Sequence, residues 1–165
     1  MATWTMDDLE VTGPAFLEMA HRIVWCTVAT VDPHDGLRTR ILHPIWEWDG
    51  ESLTGWIATG PTPVKTRAIA ADPRISLTYW DPTQDTCTAE CRVEWIDDAE
   101  RAELWRRFAD GPAPVGYDPA IIPPWADGPE SPAFSGWKLD PYRLRVMPGS
   151  AMLDGRGLLV WRAAD

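Results

Sequence analysis

The pattern of apolar and polar positions along the chain predicts three helices. Residues 12–22 open with a threonine and an early proline and repeat apolar residues at helical spacing. Residues 64–71 also have helical composition, and this helix ends before Pro73 because proline disfavours helical geometry in the preceding residue. Acidic residues at 97–100 begin a third, amphipathic helix.

Much of the remaining chain has the β-branched composition or the period-two alternation of strands. Turn clusters at 32–36 and 49–51 separate the first three of these segments, which predicts a three-stranded meander. Six or seven short strands favour a mainly β fold, an antiparallel barrel with appended helices, over a doubly wound α/β sheet. The predicted strands are residues 23–31, 37–48, 52–59, 74–80, 86–96, 137–147 and 158–162.

The segment 111–136 differs from the rest because it holds seven of the sixteen prolines. Such a segment is typical of an ordered irregular loop or of an arm that wraps a neighbouring subunit, and the sequence leaves both open. A length of 165 residues without internal repeats predicts a single domain over residues 1–165.

Composition and charge narrow the range of functions. The net charge of −10 argues against a nucleic-acid partner. No stretch approaches the ~20 apolar residues of a membrane helix, and residues 1–8 are acidic rather than signal-like, so we expect a soluble, cytoplasmic protein with no membrane partner. The cysteines Cys26, Cys87 and Cys91 form no C-x-x-C pair and are expected to be reduced and buried. Eleven tryptophans indicate an interface or a ring-shaped ligand.

Cations gather near one predicted helix start and one predicted strand. Arg38 and Arg40 are two residues apart, so they share a strand face. Lys65 and Arg67 lie near a helix N-terminus, where unpaired backbone N–H groups favour an anion. A solvated helix face with rim arginines is the alternative. The predicted phosphate site consists of Arg40, Thr59, Thr62 and Lys65.

Signals for side-chain catalysis are weak. His43 precedes Pro44, which predicts a strand edge or bulge of the kind that borders ligand sites, and a partly buried structural histidine is the alternative. Together with Tyr79, His43 is a candidate proton donor. The histidines lack metal-site spacing, and the chain has no P-loop, G-x-S-x-G or G-x-G-x-x-G motif, so no metal site is expected.

In the order of its predicted strands, helices and candidate site residues, the chain resembles the pyridoxamine 5′-phosphate oxidase-like superfamily, the flavin- and deazaflavin-binding split β-barrels. The resemblance covers residues 20–96. Its markers are the strand Cys26–Asp32 before an Asp-Gly turn, Arg40 with its two following residues, Thr59, and Lys65 followed eight residues later by Pro-Arg-Ile-Ser-Leu.

This resemblance implies a homodimeric split β-barrel with two cofactors at the subunit interface. It implies that Arg40 and Lys65 contact the cofactor phosphate, that Ile41 and Leu42 lie along the flavin ring, and that Thr59 hydrogen-bonds the cofactor. The chain departs from the true oxidases at Ile45, at Val64 and at the C-terminus, which argues against vitamin B6 oxidation.

The cofactor implied is FMN or, alternatively, the deazaflavin coenzyme F-420. The acidic tail of F-420 needs a basic groove, for which Arg38 and Arg67 are candidates. We therefore expect an oxidoreductase that moves a hydride between the cofactor and a small conjugated or aromatic substrate. A non-catalytic flavin-sequestering protein, a dimeric scaffold that has lost the site, and a haem-binding relative are the alternatives.

Overall fold

Strands account for most of the regular structure in the computed structural model, which describes residues 6–164. Residues 1–5, part of the acidic N-terminal stretch considered above, lie outside the described residues. The helices are α1 (Leu9–Ile23), α2 (Pro63–Ala71), α3 (Arg101–Ala109) and α4 (Ala151–Asp154). The strands are β1 (Cys26–Asp32), β2 (Gly36–Leu42), β3 (Pro44–Trp48), β4 (Leu53–Ala58), β5 (Arg74–Trp80), β6 (Thr86–Trp95), β7 (Gly136–Met147) and β8 (Leu159–Arg162).

All the described strands belong to one antiparallel sheet in the order β2-β1-β5-β6-β7-β4-β3, with β8 added to β7. The sheet carries α1 against β7 and β3, and α2 against β1. The expected mainly antiparallel β fold with appended helices is therefore confirmed. None of the helices within residues 6–164 has the length and apolar character needed to cross a membrane.

The predicted three-stranded meander is wrong, because the segment 37–48 is two strands rather than one. Leu42 pairs with Cys26 of β1, whereas Pro44 pairs with Ile57 of β4, at the other end of the sheet order. Proline has no N–H for a strand ladder and restricts the residue before it, so the chain changes direction at His43. This break splits the barrel beside the cavity described below.

The first helix is longer than predicted, and the first strand begins later in the sequence than predicted. It runs to Ile23, and β1 begins at Cys26 rather than at Ile23. Between them Val24 has φ 74° and ψ −59°, and the Trp25 N–H donates to the Ile23 carbonyl at 2.9 Å. A positive φ is strained for a β-branched residue. The predicted 64–71 helix and 74–80 strand agree closely with α2 and β5.

The main core lies inside the curved sheet and beneath α1. Trp46 and Phe16 are buried there with ring centroids 5.0 Å apart, and the Trp46 indole N–H donates to the Tyr79 hydroxyl at 2.9 Å. All three cysteines are free and buried, as predicted. Burial raises the pKa of the Cys26 thiol to about 12, so this thiol is protonated and unreactive at neutral pH.

A second apolar cluster joins α3 to the proline-rich segment 111–136. The segment is ordered and irregular, with two 3₁₀ turns at Pro119–Ile121 and Pro123–Trp125. It packs on its own chain through Trp125, whose ring lies 5.2 Å from that of Phe134 and whose indole N–H donates to the Ala133 carbonyl at 2.9 Å. The segment thereby forms one wall of the candidate site.

Candidate functional site

A cavity of about 500 Å³ opens where β2 ends and the barrel splits. The end of β2, the β4–α2 turn and the segment 111–136 enclose it. Its lining is mainly apolar and aromatic, with Lys65 as its charged side chain. The lining residues are Val24, Trp25, Ile41, Leu42, His43, Ala58, Thr59, Gly60, Lys65, Pro114, Tyr117, Ile121, Ile122 and Trp125.

The structure brings together four of the residues expected to contact a cofactor. Ile41 and Leu42 lie at the end of β2, and Thr59 and Lys65 lie on either side of the β4–α2 turn, all lining the same cavity. Thr59 is buried, and its backbone N–H donates to the Ser135 carbonyl at 2.9 Å. This bond ties the turn to the segment 111–136.

Gly60 shapes the turn between β4 and α2. A Cβ atom at this position would lie 2.9 Å from the carbonyl oxygen of Ala133, which is too close for any other residue without a shift of backbone. The Gly60 carbonyl accepts the Thr62 backbone N–H at 2.9 Å and the Lys65 ammonium at 3.4 Å. Thr62 itself is exposed before α2 and does not line the cavity.

Lys65 gives the cavity a positive end, and Arg40, which lies outside the cavity lining, is close enough for its charge to act on Lys65. Burial lowers the pKa of Lys65, and the nearby Arg40 charge lowers it further. The pKa of Arg40 is likewise lowered, first by burial and then by Arg38. One terminal nitrogen of Arg40, Nη1, is buried without a hydrogen-bond partner. Within residues 6–164, neither Lys65 nor Arg40 has a carboxylate within ion-pair distance, so both charges are available to an anion.

Arg67, by contrast, is already paired. Its guanidinium donates to the buried Asp32 carboxylate at 2.6 Å and lies 3.9 Å from Asp35. Arg38 bonds to Asp35 and lies 3.9 Å from Asp32. The Arg67 hydrogen bond is the main reason that the pKa of Asp32 falls to about 2. Arg67 therefore lies outside the cavity lining, although sequence spacing placed it beside Lys65.

Sequence reasoning missed the role of these two aspartates. Asp32 and Asp35 were interpreted only as part of the 32–36 turn, because Asp is common in turns. Asp32 does accept the backbone N–H groups of His34 and Asp35, at 2.9 and 3.1 Å. The available signal was the position of two acids in the hairpin turn that leads directly into a strand with Arg38 and Arg40.

Aromatic rings surround His43 at the break between β2 and β3. The imidazole centroid lies 5.0 Å from the Trp25 ring and 5.1 Å from the Tyr117 ring. Its Nε2 atom is buried without a hydrogen-bond partner. Burial lowers the pKa of His43 below its usual value of 6.5, so the ring is neutral at pH 7. His43 thus lines the cavity as an uncharged polar group.

Tyr79, the other candidate proton donor, lies elsewhere. It is fully buried in the barrel core, and its hydroxyl accepts the indole N–H of Trp46. It does not line the cavity. Within residues 6–164, no group of three or more His, Cys, Asp or Glu side chains is arranged to hold a metal ion.

The sequence left open whether the segment 111–136 is a loop or an arm that covers a neighbouring subunit, and in the structure it forms a wall of the cavity in its own chain. Tyr117, Ile121 and Ile122 contribute side chains to the cavity from this segment. Its high proline content predicted irregular backbone but gave no information on which surface it covers. The apolar and aromatic residues between the prolines are the sequence signal that could have indicated a buried surface in this segment.

These features agree with a comparison to protein families. A family model described as pyridoxamine 5′-phosphate oxidase matches residues 13–147. Because this match covers most of the chain, the chain belongs to that family. The match extends on both sides of residues 20–96, the range over which the sequence resemblance was defined. A search of curated proteins found no match.

Solved structures share the fold at low sequence identity. One is a Clostridium acetobutylicum protein related to general stress protein 26 of B. subtilis, with 12% identity, TM-score 0.66 and coverage of 93% of this chain and 94% of that chain. Another is a pyridoxamine 5′-phosphate oxidase-related, FMN-binding protein from Nostoc punctiforme, with 17% identity, TM-score 0.61 and coverage of 94% and 90%. A third is an F-420 reductase with 21% identity and TM-score 0.51, and the match covers 77% of this chain and 93% of that chain.

Proposed function

We propose that this chain binds a flavin-type cofactor, FMN or the deazaflavin F-420, in the cavity beside Lys65 and transfers a hydride between it and a small conjugated or aromatic substrate. Support comes from the family, from an FMN-binding protein and an F-420 reductase among the similar structures, and from the site. The observation that carries the proposal is Lys65, which lines one end of an apolar cavity without a carboxylate partner within residues 6–164, with the equally unpaired Arg40 close to it outside the lining.

The residues at the positive end fit a phosphate monoester. Arg40 presents an unpartnered guanidinium nitrogen, and Lys65 makes a single long contact to the Gly60 carbonyl. Two half-buried cations repel each other, and an anion between them removes that repulsion while accepting charge-assisted hydrogen bonds. Arg40 and Lys65 would hold the cofactor phosphate, with Thr59 as a further hydrogen-bonding partner.

The remaining lining fits a planar ring. Ile41 and Leu42 supply an aliphatic edge, and Trp25 and Tyr117 supply aromatic faces. When bound, the cofactor supplies the hydride-accepting and hydride-donating ring, so the side chains here bind, orient and exclude water. His43 is neutral and borders the same space, and we assign it as a hydrogen-bonding partner of the substrate. The proton for the substrate would come from the imidazolium that forms when His43 takes up a proton from solvent.

A second copy of the chain completes the site in this proposal. Apolar side chains on β1 and β2 face solvent, and Leu37 and Ile41 are 80% and 61% exposed. Trp25 is 58% exposed although its ring borders the cavity. Cavity and exposed apolar surface are thus continuous, which is typical of a ligand site at an interface. We therefore propose a homodimer with the cofactor at the subunit interface.

A cofactor-sequestering protein without turnover is the second candidate. The observation that favours it concerns the two candidate proton donors predicted from the sequence, His43 and Tyr79. Tyr79 lies in the core, so of these two residues His43 alone lines the cavity. The two candidates differ in turnover. We expect the reduced cofactor on the protein to be reoxidised faster when quinone-like or other conjugated acceptors are added. Reoxidation at the same rate with and without every acceptor would favour sequestration.

Fluorescence titration tests the binding site directly. FMN quenches nearby tryptophans, so the dissociation constant is measured from quenching in the wild type and in Lys65→Ala. We expect Lys65→Ala to weaken FMN binding about tenfold to a hundredfold, because it removes one charge-assisted contact to phosphate. Lys138→Ala, which removes the other lysine of the chain from the exposed surface of β7, is the matched control.

Riboflavin separates the phosphate contact from the ring contacts in the same experiment. It lacks the phosphate, so Lys65→Ala is expected to leave riboflavin binding nearly unchanged. Equal weakening of FMN binding by Lys65→Ala and Lys138→Ala would exclude Lys65 from the site. Failure of the wild type to bind FMN and F-420 would favour a scaffold without a cofactor.

A further inference from the structure

Four cations form a basic stripe that begins at Lys65 in the cavity lining and extends away from the cavity, defined as Arg38, Arg40, Lys65 and Arg67. Arg38 and Arg40 lie on the same face of β2, because side chains two residues apart on a strand share a face. Lys65 and Arg67 come from α2, which packs beside β1. The charge of Arg38 acts on Arg40, and the charge of Arg40 acts on Lys65.

Only half of the basic stripe is free to bind an anion. Arg40 and Lys65 have no acidic partner within residues 6–164, whereas Arg38 and Arg67 share the carboxylates of Asp32 and Asp35. The two halves therefore differ in net charge. Two positive charges remain beside the cavity, and the outer half is neutral because two arginines face two aspartates.

This difference in charge limits the anions that the site accepts. A phosphate monoester carries about −1.5 to −2 charges at pH 7, which the two free cations match. For a cofactor whose tail continues with several carboxylates beyond the phosphate, the next cations along the basic stripe are those of its outer half. There Asp32 and Asp35 cancel the positive charges of Arg38 and Arg67 and occupy guanidinium donors that would otherwise bind the tail.

We propose that Asp32 and Asp35 are specificity-determining residues that restrict the site to a cofactor with a single terminal phosphate and exclude one with a polyanionic tail. The proposal rests on the proposed function, since it concerns which flavin-type cofactor the same cavity takes. It implies that the chain prefers FMN to F-420.

The two aspartates contribute in different ways. Asp32 is buried at the end of β1, holds Arg67 and also accepts backbone N–H groups of the hairpin, so its removal disturbs the fold as well as the charge. Asp35 lies at the hairpin tip with a half-exposed side chain and pairs mainly with Arg38. Asp35→Asn therefore removes one negative charge and releases Arg38 with little effect on the hairpin.

The test compares the dissociation constants of FMN and F-420 for the wild type, Asp35→Asn and the control Glu18→Gln. Glu18 is an exposed acid on α1 without an ion pair within residues 6–164, and its substitution makes the same change in net charge. We expect the wild type to bind FMN more tightly, and Asp35→Asn to reduce the ratio of the F-420 to the FMN dissociation constant about fivefold at low salt. Glu18→Gln is expected to leave the ratio unchanged.

Two results would overturn the proposal while leaving the proposed function intact. One is tighter binding of F-420 than of FMN by the wild type. The other is a ratio that responds equally to Asp35→Asn and Glu18→Gln, which would show a general charge effect. Binding of neither cofactor by the wild type is a different result, because it would overturn the proposed function itself. A circular dichroism spectrum of Asp35→Asn that matches the wild type confirms that the variant is folded.

Discussion

At the scale of single residues, the site depends on which cations have partners. Arg67 and Lys65 are two positions apart on α2, yet Arg67 bonds to a buried carboxylate and Lys65 meets only a backbone carbonyl at 3.4 Å. A paired cation is stabilised in the folded protein, whereas a half-buried cation without an acid retains its attraction for an external anion. The difference cannot be seen in the chemistry of either side chain alone.

The unpartnered state of Lys65 predicts how FMN binding depends on pH. The phosphate loses its second proton near pH 6, so affinity is expected to rise through about that pH. Lys65 binds phosphate only when protonated, and its pKa is below the usual 10.5. Affinity is therefore expected to fall again at alkaline pH, by at most about tenfold per pH unit because one proton is involved.

Lys65→Arg checks this assignment by the same fluorescence titration across pH. A guanidinium stays protonated at alkaline pH, so the alkaline loss of FMN affinity is expected to disappear in this variant. The rise near pH 6 belongs to the phosphate and is expected to remain. An alkaline loss of the same size in Lys65→Arg would assign it to another group.

At the scale of elements, two irregular segments create the cavity. The break at His43 separates β2 from β3, and the segment 111–136 covers the opening with apolar side chains. The position of this wall depends on Trp125, which is buried and bonded to the Ala133 carbonyl within the same segment. The wall is thus held by buried side chains, Trp125 among them, and by single backbone hydrogen bonds such as Thr59 to Ser135 rather than by strand pairing.

Trp125→Ala is expected to destabilise the protein by about 3–5 kcal/mol, the usual range for removing a buried tryptophan. Urea unfolding measures this change, and limited proteolysis is expected to cleave the variant within the segment 111–136. Trp80→Ala is the matched control, because Trp80 is 55% exposed. A similar loss of stability in both variants would mean that Trp125 does not anchor the wall.

At the scale of the whole molecule, one edge of the sheet carries part of the exposed apolar surface. Strand β2 ends the sheet order and presents Leu37 and Ile41 to solvent, and Ile41 also lines the cavity. An edge strand with exposed apolar side chains is a site for association. The proposed homodimer covers this edge and brings a second chain next to each cavity.

Ile41→Glu is expected to separate the proposed dimer, because it places a charge on the apolar edge. Analytical ultracentrifugation measures the oligomeric state, and we expect FMN affinity to fall about tenfold or more with dissociation, as for a residue central to an interface. Leu153→Glu is the control, since Leu153 is exposed on α4. A wild type that sediments as a monomer and still binds FMN would contradict the interface site.

Much of the fold was predictable because it follows from local patterns. The helix 63–71 and the strand 74–80 were located within one residue, since proline and glycine mark their ends and apolar periodicity marks their buried faces. The predicted meander failed at Pro44. Local pattern shows that a strand is interrupted there but not which distant strand the following residues will pair with.

The sequence by itself determined the class of fold, the family and the types of residue near the phosphate, because composition, spacing and turn chemistry are local properties. Only the tertiary structure decided which cations remain free, that Tyr79 belongs to the core, and that the segment 111–136 forms a wall of the cavity. Those outcomes depend on residues far apart in the chain. Asp32 and Arg67, separated by 35 positions, meet only after β1 and α2 have packed together.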